Sequence, residues 1–597
     1  MENMTAREKL YYTAWMIVLI PILMGTAACR KYLDKTPPSA FDEQYVFGSV
    51  PNATSAVIGA YEPLSGTQAY GSRLSLMYPY DTDEMIGVTN TTAPDNSSRD
   101  LSRYNLQPTN AQLAGPFQQL YIGVERANIC IKNIPAMELY SKGSATEQAA
   151  LRRLYGESLT LRAQYYLELI RNWGDVPAPF IPSIDQTDLF LAKMDRDSIY
   201  DRLLGDLKTA EDLVPWRGEP GVTADERITK GAVKGLRARI ALFRGGYSLR
   251  RSSRKMERSS NYTDFYKIAR DECYDIMQRR DKHTLNPSFQ AVFKDGLDSY
   301  KQDPFGEVIF EIAMGAGLTG NLGYYDGPRF YVPGNAAQLG NSSIRVIPTY
   351  FYSFDSVDTR RDVTTAPYYN NADRSKTVQT LVNMTSGKFR ADWITPAPTT
   401  TSQQLGINWP VLRFSDILLM FAEAENELNN GPTAAAISAY EEVRKRGFKG
   451  NEDKIGTTPA SKEAFFNALV NERSFEFGGE GIRKYDLIRW NLLHQKILET
   501  RANYTKMMNK QAPYNTLPQV VYYKTGSQTI IWGSSLYQPS PAAAPPGGYA
   551  KANWVSSITA SWITNVAQLF TPNRNELLPI PQTSIEANHN LTQDYGY

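Results

Sequence analysis

Glu423, Glu425 and Glu427 place three carboxyl groups within the stretch FAEAENE. Hydrolysis of a glycosidic bond needs two opposed carboxylates, one as acid and one as base or nucleophile. In a helix, residues two apart point about 200° away from each other, so only Glu423 and Glu427 share a face. An ion pair with an arginine such as Arg413 or Arg473 is the expected role of that face. YPYDTDEMIG, residues 78–87, sets acids beside tyrosines, but nothing marks a carboxylate to oppose them. GAGLTG, residues 315–320, matches G-x-G-x-x-G behind a predicted strand. A dinucleotide site needs a helix to open there, and Gly323, Gly327 and Pro328 forbid one. No Gly-x-Ser-x-Gly, His-Glu-x-x-His or Cys-x-x-Cys occurs, and His283, His494 and His589 are far apart. These observations give no catalytic residue, no metal site and no cofactor.

Tyrosine is the distinctive residue, with 37 copies. Several fall in Gly/Asn/Pro-rich segments that read as loops: Tyr78, Tyr80 and Tyr104 beside Asp81, and Tyr324, Tyr325, Phe330 and Tyr331 beside Asn321. Flat rings cover the C–H faces of sugars, while Asn, Asp and Arg bond the hydroxyl rims. Tyr78, Tyr80, Asp81, Tyr104, Asn321, Tyr324, Tyr325 and Tyr331 are therefore the candidate ligand residues. The competing reading is that these rings pack the loops onto a scaffold.

The third chemistry is at Cys29. Arg7 and Lys9 precede an apolar stretch at residues 14–24 that is too short to cross a bilayer and is broken by Pro21. Thr26, Ala27 and Ala28 then lead into Cys29, as in a secretory signal covering residues 1–28. The site resembles the lipobox of bacterial lipoproteins, in which the cysteine is acylated, although Thr26 departs from the Leu or Val preferred there. Acyl chains on Cys29 would anchor the chain to lipid without a spanning helix. Ordinary signal cleavage would leave the cysteine incidental.

The elements that must position these groups are mostly helical. Residues 151, 154, 158, 161, 165 and 169 recur at helical spacing, and Gly174 and Pro177 stop that helix. Further helices follow in residues 196–214, 228–248 and 261–280, with Ala232, Gly235 and Ala238 small enough for close helix contact. Cys130 and Cys273 sit in such segments as small hydrophobes, and the sequence does not show whether they pair. Between about 296 and 410 the pattern changes to Gly, Asn, Pro, Tyr and Thr around one strand, EVIFEIAM. Helices return from residue 414, and 511–571 is again loop-like, with SPAAAPPGGY as an exposed linker. Paired helices with short turns predict a tetratricopeptide-like array. The net charge of +2 is interspersed, which gives no reason to propose nucleic acid. The basic run at residues 244–260 reads as a solvated loop between helices.

KYLDKTPP after Cys29, then LRAQYYLELIRNWGDVP, TKGAVKGLRARIALF, WPVLRFSDILLMFAEAENEL, NERSFEFGGEGIRKYDLIRW and LLPIPQTSIEANHNLTQ, follow one another over nearly all of the remaining chain. On these motifs the chain resembles the SusD/RagB outer-membrane lipoproteins of Bacteroidetes. Ser415 stands where that family commonly has Ala, and His589, Asp594 and Tyr595 replace its usual tail residues. The resemblance implies a mainly α fold: a right-handed tetratricopeptide-like superhelix with large irregular loop insertions and minor short strands. It implies a tethered arm over 29–50 and one domain over 51–597. Within that domain the scaffold would occupy about 110–285 and 411–510, and the ligand-side insertions about 70–110, 296–410 and 511–571. It also implies a lid on a SusC-like TonB-dependent transporter that captures oligosaccharide at the cell surface without cutting it, held to the outer membrane by lipid. The segments 78–105 and 320–331 correspond by position to the family's ligand loops. Arg162, Trp173, Arg413, Glu423 and Arg489 fall in scaffold motifs and are read as structural. A peptide or another oligomer is the alternative ligand, and a surface glycoside hydrolase the alternative from a different class.

Overall fold

A computed structural model describes residues 5–8, 43–87, 95–220, 222, 226–334 and 338–597. Cys29, the apolar stretch and most of the arm lie outside the described residues. No helix among the described residues is long and apolar enough to cross a membrane.

The frame is a series of helices: α1 (Val50–Tyr61), α2 (Ala114–Asn133), α3 (Ala145–Trp173), α4 (Arg196–Glu211), α5 (Lys230–Gly245) and α6 (Tyr262–Met277). It continues through α7 (Phe414–Leu428), α8 (Ala434–Gly447), α9 (Lys462–Phe477), α10 (Arg483–Arg489) and α11 (Leu493–Met508). From α1 to α8 each helix packs on the next, across the long excursion between α6 and α7. That serial stacking is the helical-repeat architecture the small-residue pattern predicts.

Local chemistry sets the helix ends. Ser144 and Glu147 close a reciprocal capping box at the start of α3. Gly174, at φ 78°, ends that helix in a conformation that glycine adopts without strain. The expected single buried face of α3 is too modest, because every residue from 156 to 170 is buried. Its polar residues survive there because they are paired. Arg162 donates to Asn128 Oδ1 at 2.9 Å and to Asp206 Oδ2 at 2.6 Å. Glu157 receives Arg227 at 2.7 Å and Tyr61 at 2.7 Å.

Gly235 of α5 lets the frame close. A Cβ built on it would stand 2.2 Å from Leu412 Cδ2 and 3.0 Å from Ile417 Cδ1. Gly205 of α4 is exposed and has nothing within 4 Å of such a Cβ. Gly235→Ala should therefore cost about 1–3 kcal/mol by overpacking. Gly205→Ala should add about 0.5–1 kcal/mol through helix propensity. Urea unfolding of the two variants checks both signs, and equal shifts would contradict the packing account.

Strands β1 (Val308–Ile312) and β2 (Trp409–Arg413) pair antiparallel, with Ile312 opposite Trp409. The excursion over residues 313–408 therefore leaves and rejoins the frame at one place. Its own strands are short. Arg345–Val346, Thr385–Ser386 and Thr365–Ala366 make one small sheet, with Met85–Ile86 from the earlier loop added at its edge. The 511–571 region departs from the loop expectation. Its strands β3 (Val520–Lys524) and β4 (Tyr549–Asn553) form an antiparallel hairpin, and SPAAAPPGGY is the largely exposed end of the 525–548 connection between them. This hairpin, the excursion and α11 share a second hydrophobic core around Phe351, Tyr504, Val521 and Trp554.

A buried charge cluster ties the excursion to the frame. Arg413 binds Glu307 at 2.6 Å, Glu476 at 2.8 Å and Glu480 at 2.7 Å. Arg360 of the excursion binds Glu472 at 2.6 Å and Glu476 at 3.2 Å, and Lys388 of the excursion reaches Glu480 at 2.5 Å. Burial pushes the Glu476 carboxyl up, but Arg446, Arg413, Arg360 and Lys388 outweigh that and hold it well below the usual range. The expected partner of Glu423 needs correction. Arg489, reaching over from α10, binds it bidentately, one contact at 2.8 Å. Glu427 instead meets Lys462 at 3.1 Å and Arg258 at 3.5 Å. The basic run at 244–260 is also less solvated than expected. Arg244 is buried and bonded to Asp201 at 2.9 Å, and residues 248–249 and 256–257 pair as strands. Cys130 and Cys273 are buried and unbridged.

Candidate functional site

A cleft of about 730 Å³ lies between the excursion and the 511–571 hairpin. One wall is a short hairpin, Tyr368–Asn370 paired with Lys376–Val378. A turn at Ala391–Trp393 presents Asp392 and Trp393. Opposite stand Gln528, Thr529, Ile530 and Trp532. The two sides are joined where the Lys376 amide donates to the Ser527 carbonyl at 2.8 Å. Trp532 is half-buried, its ring held edge-on against Trp554 at 5.8 Å.

The polar groups of the cleft are bonded to one another. Arg390 donates to the Tyr368 hydroxyl at 2.8 Å, and its guanidinium lies 4.1 Å from the Trp393 ring centroid. The Tyr368 hydroxyl donates to Asp392 Oδ2 at 3.4 Å. Lys376 Nζ stands 3.4 Å from that same oxygen and 3.5 Å from the Tyr368 ring centroid. Asp392 Oδ1 is buried with no partner among the described residues. Burial lowers the Lys376 amine to about 8; Asp392 opposes the shift, and Arg390 and Lys294 reinforce it. Aromatic rings beside amides, hydroxyls and charges can hold a ligand that has flat faces and a polar rim.

A further cavity of about 630 Å³ beside α11 is lined by Leu487, His494, Leu498 and Glu576 among others. It contains no Phe, Tyr or Trp, so the cleft is the better ligand site. Among the described residues no group of three or more His, Cys, Asp or Glu could hold a metal ion.

The residues expected from sequence divide into two sets. Tyr78, Tyr80, Asp81 and Tyr104 are buried. Tyr78 donates to the Gln112 carbonyl at 2.6 Å, with its ring against Trp173. Tyr80 donates to the Gly479 carbonyl at 3.3 Å from within the second core. Tyr104 donates to the Asp81 carbonyl at 2.8 Å. Asp81 accepts the Gly87 amide at 2.9 Å, and burial lifts its carboxyl to about 6 against the pull of Lys484. These side chains pack the loop onto the frame and turn no ring face outward. Asn321 is buried as well, and its amide donates to the Gly71 carbonyl at 2.7 Å.

Tyr324, Tyr325 and Tyr331 are half-buried and lie outside the cleft lining. Tyr324 and Tyr325 meet edge-to-face at 5.1 Å. Phe330, from the same loop, does reach the cleft. Sequence reasoning missed Tyr368, Asn370, Lys376, Arg390, Asp392, Trp393 and Trp532. The usable signal was the density of rings, amides and cations in APYYNNADRSKTV, FRADWITP and SQTIIWG.

Two family models match the chain. One, described as the SusD family, covers residues 364–597 and with them Tyr368 to Trp532 of the cleft. The other, described as starch-binding associating with outer membrane, covers residues 31–242. The chain belongs to the SusD/RagB family. The SusD-like protein P25 of Formosa agariphila is 22% identical over 527 residues, 84% of this chain and 94% of that protein. A SusD homolog of Bacteroides thetaiotaomicron shares the fold with a TM-score of 0.75 at 20% identity, over 92% of this chain and 98% of that one. Surface glycan-binding protein A of the same organism, solved in complex with laminarihexaose, gives a TM-score of 0.60 at 19% identity, over 91% and 99%. The helical frame is thus the SusD fold. Gln290, Lys294, Phe330, Phe351 and Asp362 of the cleft fall between the two matched stretches.

Proposed function

We propose that this SusD/RagB-family protein binds oligosaccharide at the cell surface in the cleft between the excursion and the hairpin. The bound glycan then passes to a SusC-like TonB-dependent transporter, with Cys29 carrying the lipid tether to the outer membrane. The observation that carries the reading is the cleft itself, where Trp532 and Trp393 stand beside Asn370, Tyr368 and Asp392. The family description as starch-binding and outer-membrane-associating supports it, and so does a relative of this fold holding laminarihexaose. Asp362 and Asp392 of the cleft already face cations: Asp362 meets Arg361 at 2.9 Å and Asp392 meets Lys376 at 3.4 Å. That arrangement favours holding a glycan over cutting it.

Trp532→Ala should weaken binding by about 1–3 kcal/mol, the range found when a ring stacked on a flat ligand is removed. Calorimetric titration of a glycan panel into both proteins checks this, with helical content followed by circular dichroism. A Tyr324→Ala/Tyr325→Ala double variant should keep its affinity. If only the double variant loses binding, the site is the 320–331 loop. If wild-type protein releases shortened products, it is a hydrolase.

A further inference from the structure

We propose that the cleft selects an acidic oligosaccharide, one bearing carboxylate or sulfate groups, and that Lys294, Arg374, Lys376 and Arg390 read its charge. This rests on the glycan-binding reading above and narrows it to a ligand class.

Charged side chains line the cleft. Four are cationic, Lys294, Arg374, Lys376 and Arg390, and two are anionic, Asp362 and Asp392. Asp362 is taken up by Arg361, whose Nε and Nη2 lie 2.9 Å and 3.2 Å from its two oxygens. Asp392 is then the one remaining anion of the lining, and among the cations it meets only Lys376, at 3.4 Å.

The cations are also poorly neutralised. Lys294 and Arg374 are exposed, and neither side chain has a hydrogen-bond or ion-pair partner among the described residues. Arg390 is buried, yet its guanidinium meets neutral oxygens only. These are the Tyr368 hydroxyl and the carbonyls of Gly387, Asp362, Val363 and Thr365, the middle two at 2.8 Å and 3.0 Å. The contrast within the molecule is sharp. Buried Arg360, Arg413, Arg446, Arg473 and Arg489 each face carboxylates. A buried guanidinium normally requires an ion partner, because desolvating the charge is costly. Beneath this cleft no carboxylate bonds the guanidinium directly; the nearby buried carboxylate of Asp298 accepts the Arg390 backbone amide at 3.0 Å instead, and a bound anion would add charge-assisted bonds.

The lowered Lys376 amine agrees with this picture. Burial lowers it, Asp392 opposes the shift, and Arg390 and Lys294 add to the effect of burial, while the Tyr368 ring lies against the amine. Clefts walled by one sign of charge also concentrate ligands of the opposite sign.

The test uses the full chain and three matched hexasaccharides: laminarihexaose as the neutral probe, a uronate oligomer and a sulfated galactan oligomer. At least one acidic probe should bind about tenfold tighter than the neutral one at low salt, and raising the salt should erode the difference. Which acidic probe wins identifies carboxylate or sulfate as the group recognised. A Lys376→Gln/Arg374→Gln double variant should lose about tenfold more affinity for the acidic probe than for laminarihexaose. Acidic-probe affinity of the wild type should fall from about pH 7 to about pH 9 as Lys376 discharges, and Lys376→Gln should remove that fall. If laminarihexaose binds as tightly as both acidic probes, the charge selection is wrong while glycan binding stands. If no probe binds, both readings fail.

Discussion

Arg413→Met should remove about 3–5 kcal/mol of stability, the loss typical of deleting one partner of a buried ion cluster. Arg413 is 1% exposed and donates to Glu307, Glu476, Glu480 and Ser415. Methionine fills most of the space and answers none of those carboxylates. Arg446, Arg360 and Lys388 remain, but three glutamates then share fewer cations in a region closed to water. Lysine is a poor rescue, because its compact ammonium cannot span the forked geometry that joins Glu476 to Glu480. Urea denaturation followed by circular dichroism reads the effect. Arg279→Ala is the control: its partner Asp281 is exposed, and the loss there should stay within about 0.5 kcal/mol. Equal midpoints for the two variants would show that the cluster adds little to the stability of the frame.

Trp554→Ala should cost about 3–5 kcal/mol, and the damage should fall on the cleft side of the molecule. Trp554 is fully buried in the second core and donates through its indole to the Tyr352 hydroxyl at 2.6 Å. Its ring meets Phe351 and Trp532 edge-on, at 6.1 Å and 5.8 Å. Phe351 and Trp532 both line the cleft. Truncation therefore removes the rest against which the half-buried Trp532 is set. The helical stack keeps its own, larger core, which does not include Trp554. The expected result is a protein that retains most of its helical signal, opens early in the 511–571 hairpin by hydrogen exchange, and loses glycan affinity. Concerted loss of all amide protection would contradict the separation of the two cores.

The helical frame was legible because its signals are local. Leu151, Leu154, Leu161, Tyr165 and Leu169 repeat at the helical period, and Gly174 with Pro177 marks the stop. The small residues around Gly235 announced close packing, and the structure puts Leu412 and Ile417 there. What failed depended on distance along the chain. Glu423 found Arg489, 66 positions away, and no helical spacing reports such a partner. The strands of the 511–571 hairpin are separated by a long Ser/Pro/Gly connection, so no tight-turn signal joined them. The loop tyrosines misled for a chemical reason. A ring with one hydroxyl suits a sugar face, and it suits equally a buried slot with one backbone carbonyl at the end. Tyr78, Tyr80 and Tyr104 all take the second option. The cleft itself is assembled from residues as far apart as Gln290 and Leu536, and only the tertiary fold brings them to one place.

The pairing of Ile312 with Trp409 carries a consequence for how such proteins diversify. Two neighbouring strands set the ends of the excursion about 5 Å apart, whatever the path between them. Closing a longer or shorter path adds only a slowly growing entropy term. The intervening hundred or so residues can thus behave as an exchangeable cassette, provided that an Arg360 and a Lys388 remain to plug into the glutamates below. A lineage could change its diet by rewriting that cassette and leave the chassis of stacked helices untouched.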